Sequence, residues 1–458
     1  MKIVILGAGQ VGASVAEALA SEANDVTIVD YDPKALADLS DRLDVRTVVG
    51  NGAMPSTMRQ AGMEDTELLV AVTQSDQTNL VACKVAKTLF NVPTRVARLR
   101  TTDFHDAPEL LGPEHFAVNH AMCPEQDVTD YIARLVDFPQ ALQVLTFADG
   151  RVTLVALLVQ PDSPSVGRTI RELRGRLPPD LDARVAAIFR QHKPLAPEGD
   201  TVIAAGDEVF LLTATSQVQR MMAIIRPAQK PFHRIMIAGG GNIGLRVAKA
   251  LERDHEVKVI EMRTDRAEFV AGQLSRALVL TGAATDETML EEESIEEMDM
   301  FLALTNDDED NIMAASLAKR LGCGRVLALI NRRAYADMVQ GGPIDIGMSP
   351  AHVSLGSLLA YVRQGDVAQV HSLRRGAAEA LELIVRGDRK TSKVVDRRVE
   401  ELPEIGTARI ACITRGDEVI IPHHDTVIRS DDHVVVFCTK KREVRKVEKL
   451  FQVGFHFF

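Results

Sequence analysis

Residues 2–12 read KIVILGAGQVG, an apolar run that ends directly on glycines at 7, 9 and 12. Such a run predicts a buried strand, a tight turn and the first turn of a helix. The first glycine makes the turn, the second lets a ligand approach the backbone, and the third lets helix and strand pack closely. Open N–H groups at the start of that helix form an anion site. Gly7, Ala8, Gly9, Gln10, Val11 and Gly12 are therefore candidate phosphate contacts.

The same pattern returns in mid-chain. Residues 234–244 read RIMIAGGGNIG, so Gly239, Gly240, Gly241, Asn242, Ile243 and Gly244 form a second candidate loop. With Gly7 set on Gly239, the stretch AVTQSDQTN (71–79) falls on ALTNDDEDN (303–311), pairing Thr73 with Thr305, Asp76 with Asp308 and Asn79 with Asn311. A second repeat lies outside these copies. Residues 184–212 fall on 409–437, pairing Arg190 with Arg415 and Asp207 with Asp432. The chain is an A-B-A-B duplication, with units expected at 1–123, 140–224, 232–350 and 372–455. The junctions fall near 120–140, near RPAQKPFHR (226–234) and near 350–372.

In the first A copy, strands are expected at 2–6, 26–30, 45–50, 67–72 and 95–99, with helical spacing over 11–21 and 79–90. Strands alternating with helices, and hydrophobic almost throughout, imply an α/β class: a doubly wound, Rossmann-like parallel sheet covered on both faces. The B copies carry short β runs broken by Pro and Gly and are expected to be small α+β domains.

Ligands of such sheets sit beyond the carboxyl ends of the strands. Asp30 ends the second strand, where a carboxylate accepts hydrogen bonds from ribose hydroxyls and repels a 2′-phosphate, so the site should prefer NAD(H) or an adenosine nucleotide over NADP. Gly50 and Asn51, Thr73 and Gln74, and Arg98 lie at the ends of the next three strands, and an arginine there can pair with phosphate. In the second copy the acid is Glu261, followed by Met262 and Arg263, and the counterpart of Arg98 is expected near Ala328.

Composition narrows the function. The 458 residues are 46% hydrophobic, have no tryptophan and carry a net charge of −11, which disfavours a nucleic-acid surface. No apolar run approaches the ~20 residues needed to span a bilayer, so no direct membrane insertion is expected. The start shows no secretory signal, so the chain is expected to stay in the cytoplasm. Cys83, Cys123, Cys323, Cys412 and Cys438 are scattered, as suits buried thiols. The acidic runs 306–311 and 291–299 suit helix starts and solvated faces, and His423 and His424 a surface turn. No catalytic residues or metal ligands are assigned, since no GxxxxGK[ST], GxSxG or HExxH stretch occurs.

Two functions fit a duplicated dinucleotide fold. An NAD-dependent oxidoreductase would need a substrate domain with a proton-relay residue, and the B copies offer no such set. A ligand sensor needs paired sites whose occupancy shifts an assembly between two states.

The order of KIVILGAGQVG, VTIVD, LLVAVTQSDQTN, RVAAIFR and AAGDEVF, then RIMIAGGGNIG, ALTNDDEDNIMAASLAKR and LINRRAYADMVQG, closely resembles the TrkA family of cytoplasmic regulatory subunits of bacterial Trk potassium uptake systems, built from tandem RCK units. The resemblance covers essentially the whole chain. It implies a non-enzymatic regulator that binds NAD(H) and ATP or ADP and forms a homo-oligomer, a tetrameric ring. It also implies docking on the cytoplasmic face of the inner membrane against a Trk-type membrane potassium channel subunit whose gate it controls. Carried over by position, the nucleotide contacts are Gly7 to Val11, Asp30, Thr73, Gln74 and Arg98, with Gly239 to Ile243 and Glu261 in the second unit.

Overall fold

The computed structural model describes residues 1–453 apart from 21–23, 102, 192, 226–229, 333–334, 336–337, 340–341, 364–365 and 374–377. The chain forms two compact units, Met1–Val128 with Ser349–Val362, and Thr129–Met348 with Arg363–Phe458. Part of the junction expected at 226–234, residues 226–229, lies outside the described residues.

The first unit is built on a parallel sheet of β1 (Lys2–Leu6), β2 (Asp25–Asp30), β3 (Arg46–Val49), β4 (Leu68–Ala71), β5 (Thr94–Arg98) and β6 (His120–Met122). Its order is β3-β2-β1-β4-β5-β6, so the winding reverses between β1 and β4, the switch point beyond whose strand ends such sheets take their ligands. The central strands are buried on both faces: Ile3 to Leu6 and Leu68 to Ala71 are at most 2% exposed. Edge strand β3 is half-exposed. Helices α1 (Gln10–Ala20), α2 (Pro33–Ser40), α3 (Pro55–Gln60) and α4 (Asp76–Phe90) follow the first four strands. Local chemistry sets their ends. Asp32 caps α2 and Pro33 opens it, while Ser75 caps α4 through the Thr78 amide and Asn91 ends it in the left-handed region at φ 51°. The sixth strand was absent from the sequence expectation, being three residues long and too short to show a period.

A later helix completes this unit. Pro350–Val362 packs on α1 and β6, and His120 of β6 stacks on its Tyr361 at 4.8 Å between ring centroids. Helix α5 (Pro124–Asp137), which follows β6, crosses into the second unit.

In the second unit β7 (Ala141–Phe147), β8 (Val152–Leu158), β9 (Ala183–Arg190), β10 (Lys193–Leu195) and β11 (Glu208–Ala214) form an antiparallel sheet in the order β7-β8-β11-β9-β10. Ahead of β11 the chain makes only an isolated bridge from Val202 to Thr169. The second parallel sheet then repeats the first, with β12 (Arg234–Ala238), β13 (Glu256–Glu261), β14 (Leu278–Thr281), β15 (Met300–Ala303), β16 (Arg325–Leu329) and β17 (Ile346–Met348) in the order β14-β13-β12-β15-β16-β17. The closing sheet holds β18 (Val367–Leu373), β19 (Ala378–Ile384), β21 (Arg409–Arg415), β22 (Glu418–Ile420) and β24 (His433–Cys438), and the ribbon β20 (Arg397–Arg398) with β23 (Val427–Ile428) lies beside it. Its order, β18-β19-β24-β21-β22, is that of the first antiparallel sheet. Since β18 starts at Val367, this sheet takes in residues ahead of position 372.

The repeat extends to single side chains. Arg190 grips Asp207 at 2.7 and 2.8 Å, and Arg415 grips Asp432 at 2.8 and 2.8 Å, each arginine also donating to a carbonyl, of Val202 or Val427. The two antiparallel sheets meet through Phe210 and Phe437, whose ring centroids are 5.6 Å apart, and through Arg184, which donates to the carbonyls of Ile410 and Pro422. His371 Nε2 lies 3.1 Å from the Thr146 carbonyl at the same junction. All five cysteines are buried, none in a disulfide.

Candidate nucleotide-binding clefts

The glycine loop of the first unit has little room to vary. Gly7 sits at φ 110°, a conformation that side chains disfavour, and a Cβ on Gly12 would stand 1.9 Å from the Gly7 carbonyl oxygen. Helix α1 thus starts against the turn that precedes it, with Ala13 N donating to the Gly9 carbonyl at 2.8 Å. A Cβ on Gly9, in contrast, would meet nothing within 4 Å. That open space faces solvent at the helix start, where a pyrophosphate can reach backbone N–H groups. Gln10 and Val11 open the helix and Ala8 is buried beneath the loop.

Asp30 ties the loop to the next strand. Its Oδ2 accepts from Ala8 N at 2.6 Å and its Oδ1 from Asp32 N at 2.9 Å, so the carboxylate is held at the cleft with lone pairs left for ribose hydroxyls. Tyr31, beside it, is exposed. Asn51, beyond β3, accepts from Ala53 N at 2.9 Å and shapes its own turn. Thr73 and Gln74 follow β4, on the other side of the switch point, with Gln74 exposed. Arg98 ends β5, is 15% exposed and places Nη2 2.8 Å from Glu125 Oε1, a carboxylate that Arg100 Nε also reaches at 3.0 Å. Its Nε makes no hydrogen bond among the described residues.

The site residues expected from the sequence therefore share the carboxyl edge of one sheet. Their chemistry suits an adenosine dinucleotide or a nucleoside phosphate: a carboxylate for the ribose, an open glycine for the pyrophosphate and a guanidinium with an unsatisfied donor.

The second cleft repeats the frame with different side chains. Glu261 Oε2 accepts from Gly240 N at 2.9 Å and Oε1 from Arg263 N at 3.0 Å. The longer acid occupies the space that a side chain at 240 would need, 3.1 Å from Oε2, and position 240 is Gly where the first unit has Ala8. Gly244 repeats the close approach, its Cβ position 1.9 Å from the Gly239 oxygen, while Gly241 is open and caps the helix begun by Asn242 and Ile243. One expectation needs correction. The counterpart of Arg98 is Leu329, because Asn311 Nδ2 reaches the Leu329 carbonyl at 3.0 Å just as Asn79 Nδ2 reaches that of Arg98 at 2.9 Å. Either assignment leaves this position apolar.

Asn79 itself was visible in the sequence as a repeated residue but not as part of the site. It is 0% exposed, accepts from Thr73 N at 3.0 Å and from Thr73 Oγ1 at 2.7 Å, and donates to the carbonyls of Thr73 and Arg98. Asn311 makes the same four bonds with Thr305 and Leu329. Behind it, Asp76 accepts from Arg100 N and Thr101 N, and Asp308 from Asn331 N and Arg332 N. Within the acidic run 306–311, Asp307 caps a helix, Asp308 holds the next loop, and Glu309 pairs with Arg332 and Tyr335. Among the described residues no group of three or more His, Cys, Asp or Glu could hold a metal ion, and no helix is long and apolar enough to cross a membrane.

Comparison with known proteins matches residues 3–122 and 235–350 to the TrkA-N domain, and residues 154–226 and 389–452 to the TrkA-C domain. The chain is 50% identical over 458 residues to the Trk system potassium uptake protein TrkA of Halomonas elongata, covering 100% of both chains. It is 48% identical over 453 residues to the protein of that name from Vibrio alginolyticus, covering 99% of each. Among solved structures, the GsuK RCK domain shares the fold at a TM-score of 0.62 and 16% identity, over 98% of this chain and 94% of that one.

Proposed function

The chain belongs to the TrkA family, and from that premise we propose that it is a nucleotide-sensing regulatory subunit that gates a membrane potassium uptake channel of the Trk type. Its relatives carry the name of a potassium uptake system rather than of an enzyme. Structures of GsuK, which share the fold, are described as bound to NAD and to ADP. The observation that carries the reading is the Asp30 carboxylate, anchored by Ala8 N and Asp32 N beside an open glycine loop.

In this account NAD(H) and ATP or ADP bind at Gly7 to Gly12, Asp30, Asn51, Thr73, Gln74 and Arg98. The second cleft, with Gly239 to Gly244 and Glu261, takes a nucleotide of its own. Asp30 holds ribose hydroxyls, Gly9 leaves room for the pyrophosphate, and Arg98 turns from Glu125 toward ligand phosphate. Such an exchange of partners gives ligands with different phosphate counts different affinities for two conformations, and only such a difference shifts an equilibrium. Moving a population from 1:99 to 99:1 needs about 5.5 kcal/mol of differential binding, which a homotetrameric ring with several clefts can gather from small increments. The ring lies on the cytoplasmic face of the inner membrane against the channel subunit.

The test is co-purification with a Trk-type membrane subunit, followed by potassium flux in proteoliposomes with and without NADH, ATP and ADP. Flux that depends on nucleotide and on this chain supports the proposal. Steady turnover of NADH with a small carbonyl substrate, and no effect on flux, favours an NAD-dependent oxidoreductase instead.

A further inference from the structure

The two clefts differ in where their positive charge lies. In the first, the residues after Asp30 are Tyr31 and Asp32, and Asp32 is committed as the cap of α2, accepting from Lys34 N at 2.9 Å. Arg98 and Arg100 stand at the other end, beyond β5, while exposed Lys34 lies in the first turn of α2, where the second unit has Asp265. In the second, the positions of Arg98 and Arg100 hold Leu329, which is buried, and Asn331. Arg263 takes the place of Asp32, and Arg266, one helical turn on, takes the place of Ala35. The acidic neighbours at this end are Glu261, whose oxygens accept from Gly240 N and Arg263 N, and exposed Asp265.

Arg266 is fixed at the loop. Its Nε donates to the Gly240 carbonyl at 2.7 Å, and its guanidinium lies 4.8 Å from the Phe269 ring centroid, so the plane of the fork is held before any ligand arrives. Arg263 Nε stands 3.9 Å from Glu261 Oε1 on a largely exposed side chain, a weak surface pair that a phosphate can replace. Glu261 repels a 2′-phosphate as Asp30 does, but Arg263 and Arg266 flank it and offset that charge, and an arginine at this place accommodates a 2′-phosphate.

Resting on the nucleotide-binding reading above, we infer that the second cleft takes a dinucleotide phosphorylated on the 2′ position of its adenosine ribose, while the first, with Asp30 and Asp32 at that end, excludes it. The chain then senses two chemically distinct dinucleotide pools through one duplicated fold.

Isothermal titration of the full-length chain with NADH, NADPH, 2′,5′-ADP and 3′,5′-ADP tests this. NADPH should saturate one cleft per chain, with 2′,5′-ADP binding better than 3′,5′-ADP. Each charge-assisted hydrogen bond lost is worth roughly tenfold or more. Arg263→Ala/Arg266→Ala should therefore lower the NADPH to NADH affinity ratio of the second cleft by at least about tenfold. Arg263→Gln, at an exposed position, should move the ratio the same way if the double variant does not fold. In Asp30→Ala the NADPH isotherm should persist. NADH binding with no NADPH binding overturns this inference and leaves the nucleotide-binding reading standing. An unchanged ratio in folded variants, or 3′,5′-ADP binding as tightly as 2′,5′-ADP, also overturns it. Binding of neither dinucleotide by either cleft overturns the underlying reading itself.

Discussion

Replacing Gly9 or Gly12 by alanine adds the same single carbon three residues apart, with opposite expected results. At Gly12 the new Cβ would stand 1.9 Å from the Gly7 carbonyl oxygen and 2.9 Å from its carbon, both backbone atoms, so helix α1 must shift by more than 1 Å away from β1. Overpacking against side chains costs about 1–3 kcal/mol, and a backbone that cannot rotate away puts this case at about 3 kcal/mol or above. At Gly9 the Cβ meets nothing within 4 Å, and the residue is not among those with positive φ. Two small effects oppose each other there. Loss of unfolded-state freedom stabilises by roughly 0.4–1 kcal/mol, and alanine at a helix start is worse than glycine by a similar amount, so stability should stay within about 1 kcal/mol of the native chain. The methyl group does occupy the space offered to the pyrophosphate, and NADH affinity should fall by about tenfold or more. Denaturant unfolding and calorimetric titration of both variants provide the readout. A Gly12→Ala chain as stable as the native one would refute the packing argument. A stable Gly9→Ala chain with native NADH affinity would refute the assignment of the loop.

Three further outcomes follow from buried polar groups. Asn79→Ala strips Thr73 N, Thr73 Oγ1 and two carbonyls of partners, at a cost of about 3 kcal/mol, and should speed hydrogen exchange of the Thr73 amide about 100-fold without altering that of Thr305; unchanged exchange would count against the clamp. His371, pushed down to about 4 chiefly by burial, folds neutral. The unfolded chain therefore binds the extra proton between pH 6.5 and 4, so stability should fall by at most about 3 kcal/mol across that window, and the fall should shrink in His371→Gln, as pH-dependent unfolding can show. For Asp207, burial opposes the charge, but the Arg190 pair and the Ala204 amide outweigh it and hold its carboxyl below the usual range. Its stabilisation is complete above the unfolded value of 3.8 and is lost as pH falls through the lower folded value, so Asp207→Asn should cost about 2 kcal/mol or more at pH 7 and progressively less below pH 3.8.

Much of this was legible because backbone sterics write themselves into sequence. Gly7, Gly9 and Gly12 declare a strand, a turn and a helix, and the buried stretches Ile3 to Leu6 of β1 and Leu68 to Ala71 of β4 show as unbroken hydrophobic runs. The repeat was legible too, since Arg190 with Asp207 and Arg415 with Asp432 must keep both partners at one spacing to form their forks. What escaped depends on three-dimensional register. Leu68 and Met300 are 232 positions apart whereas their sheet partners Thr94 and Arg325 are 231 apart, so the counterpart of Arg98 is Leu329, neither Ile330, where a uniform offset of 232 would put it, nor Ala328. Asn79 is a polar residue in an amphipathic helix, and nothing local says that its side chain faces inward to join two strand ends. The packing of Pro350–Val362 on α1, more than three hundred residues earlier, joins segments that no periodicity connects.

The central claim is that Asp30 makes the first cleft a nucleotide sensor, and the most direct measurement is calorimetric titration of NADH into the native chain and into Asp30→Asn, an isosteric change that removes the charge. The account predicts a folded variant in which the tighter NADH isotherm of the native chain weakens by about tenfold or more while the Glu261 cleft still titrates. Native affinity in a folded Asp30→Asn chain would contradict it.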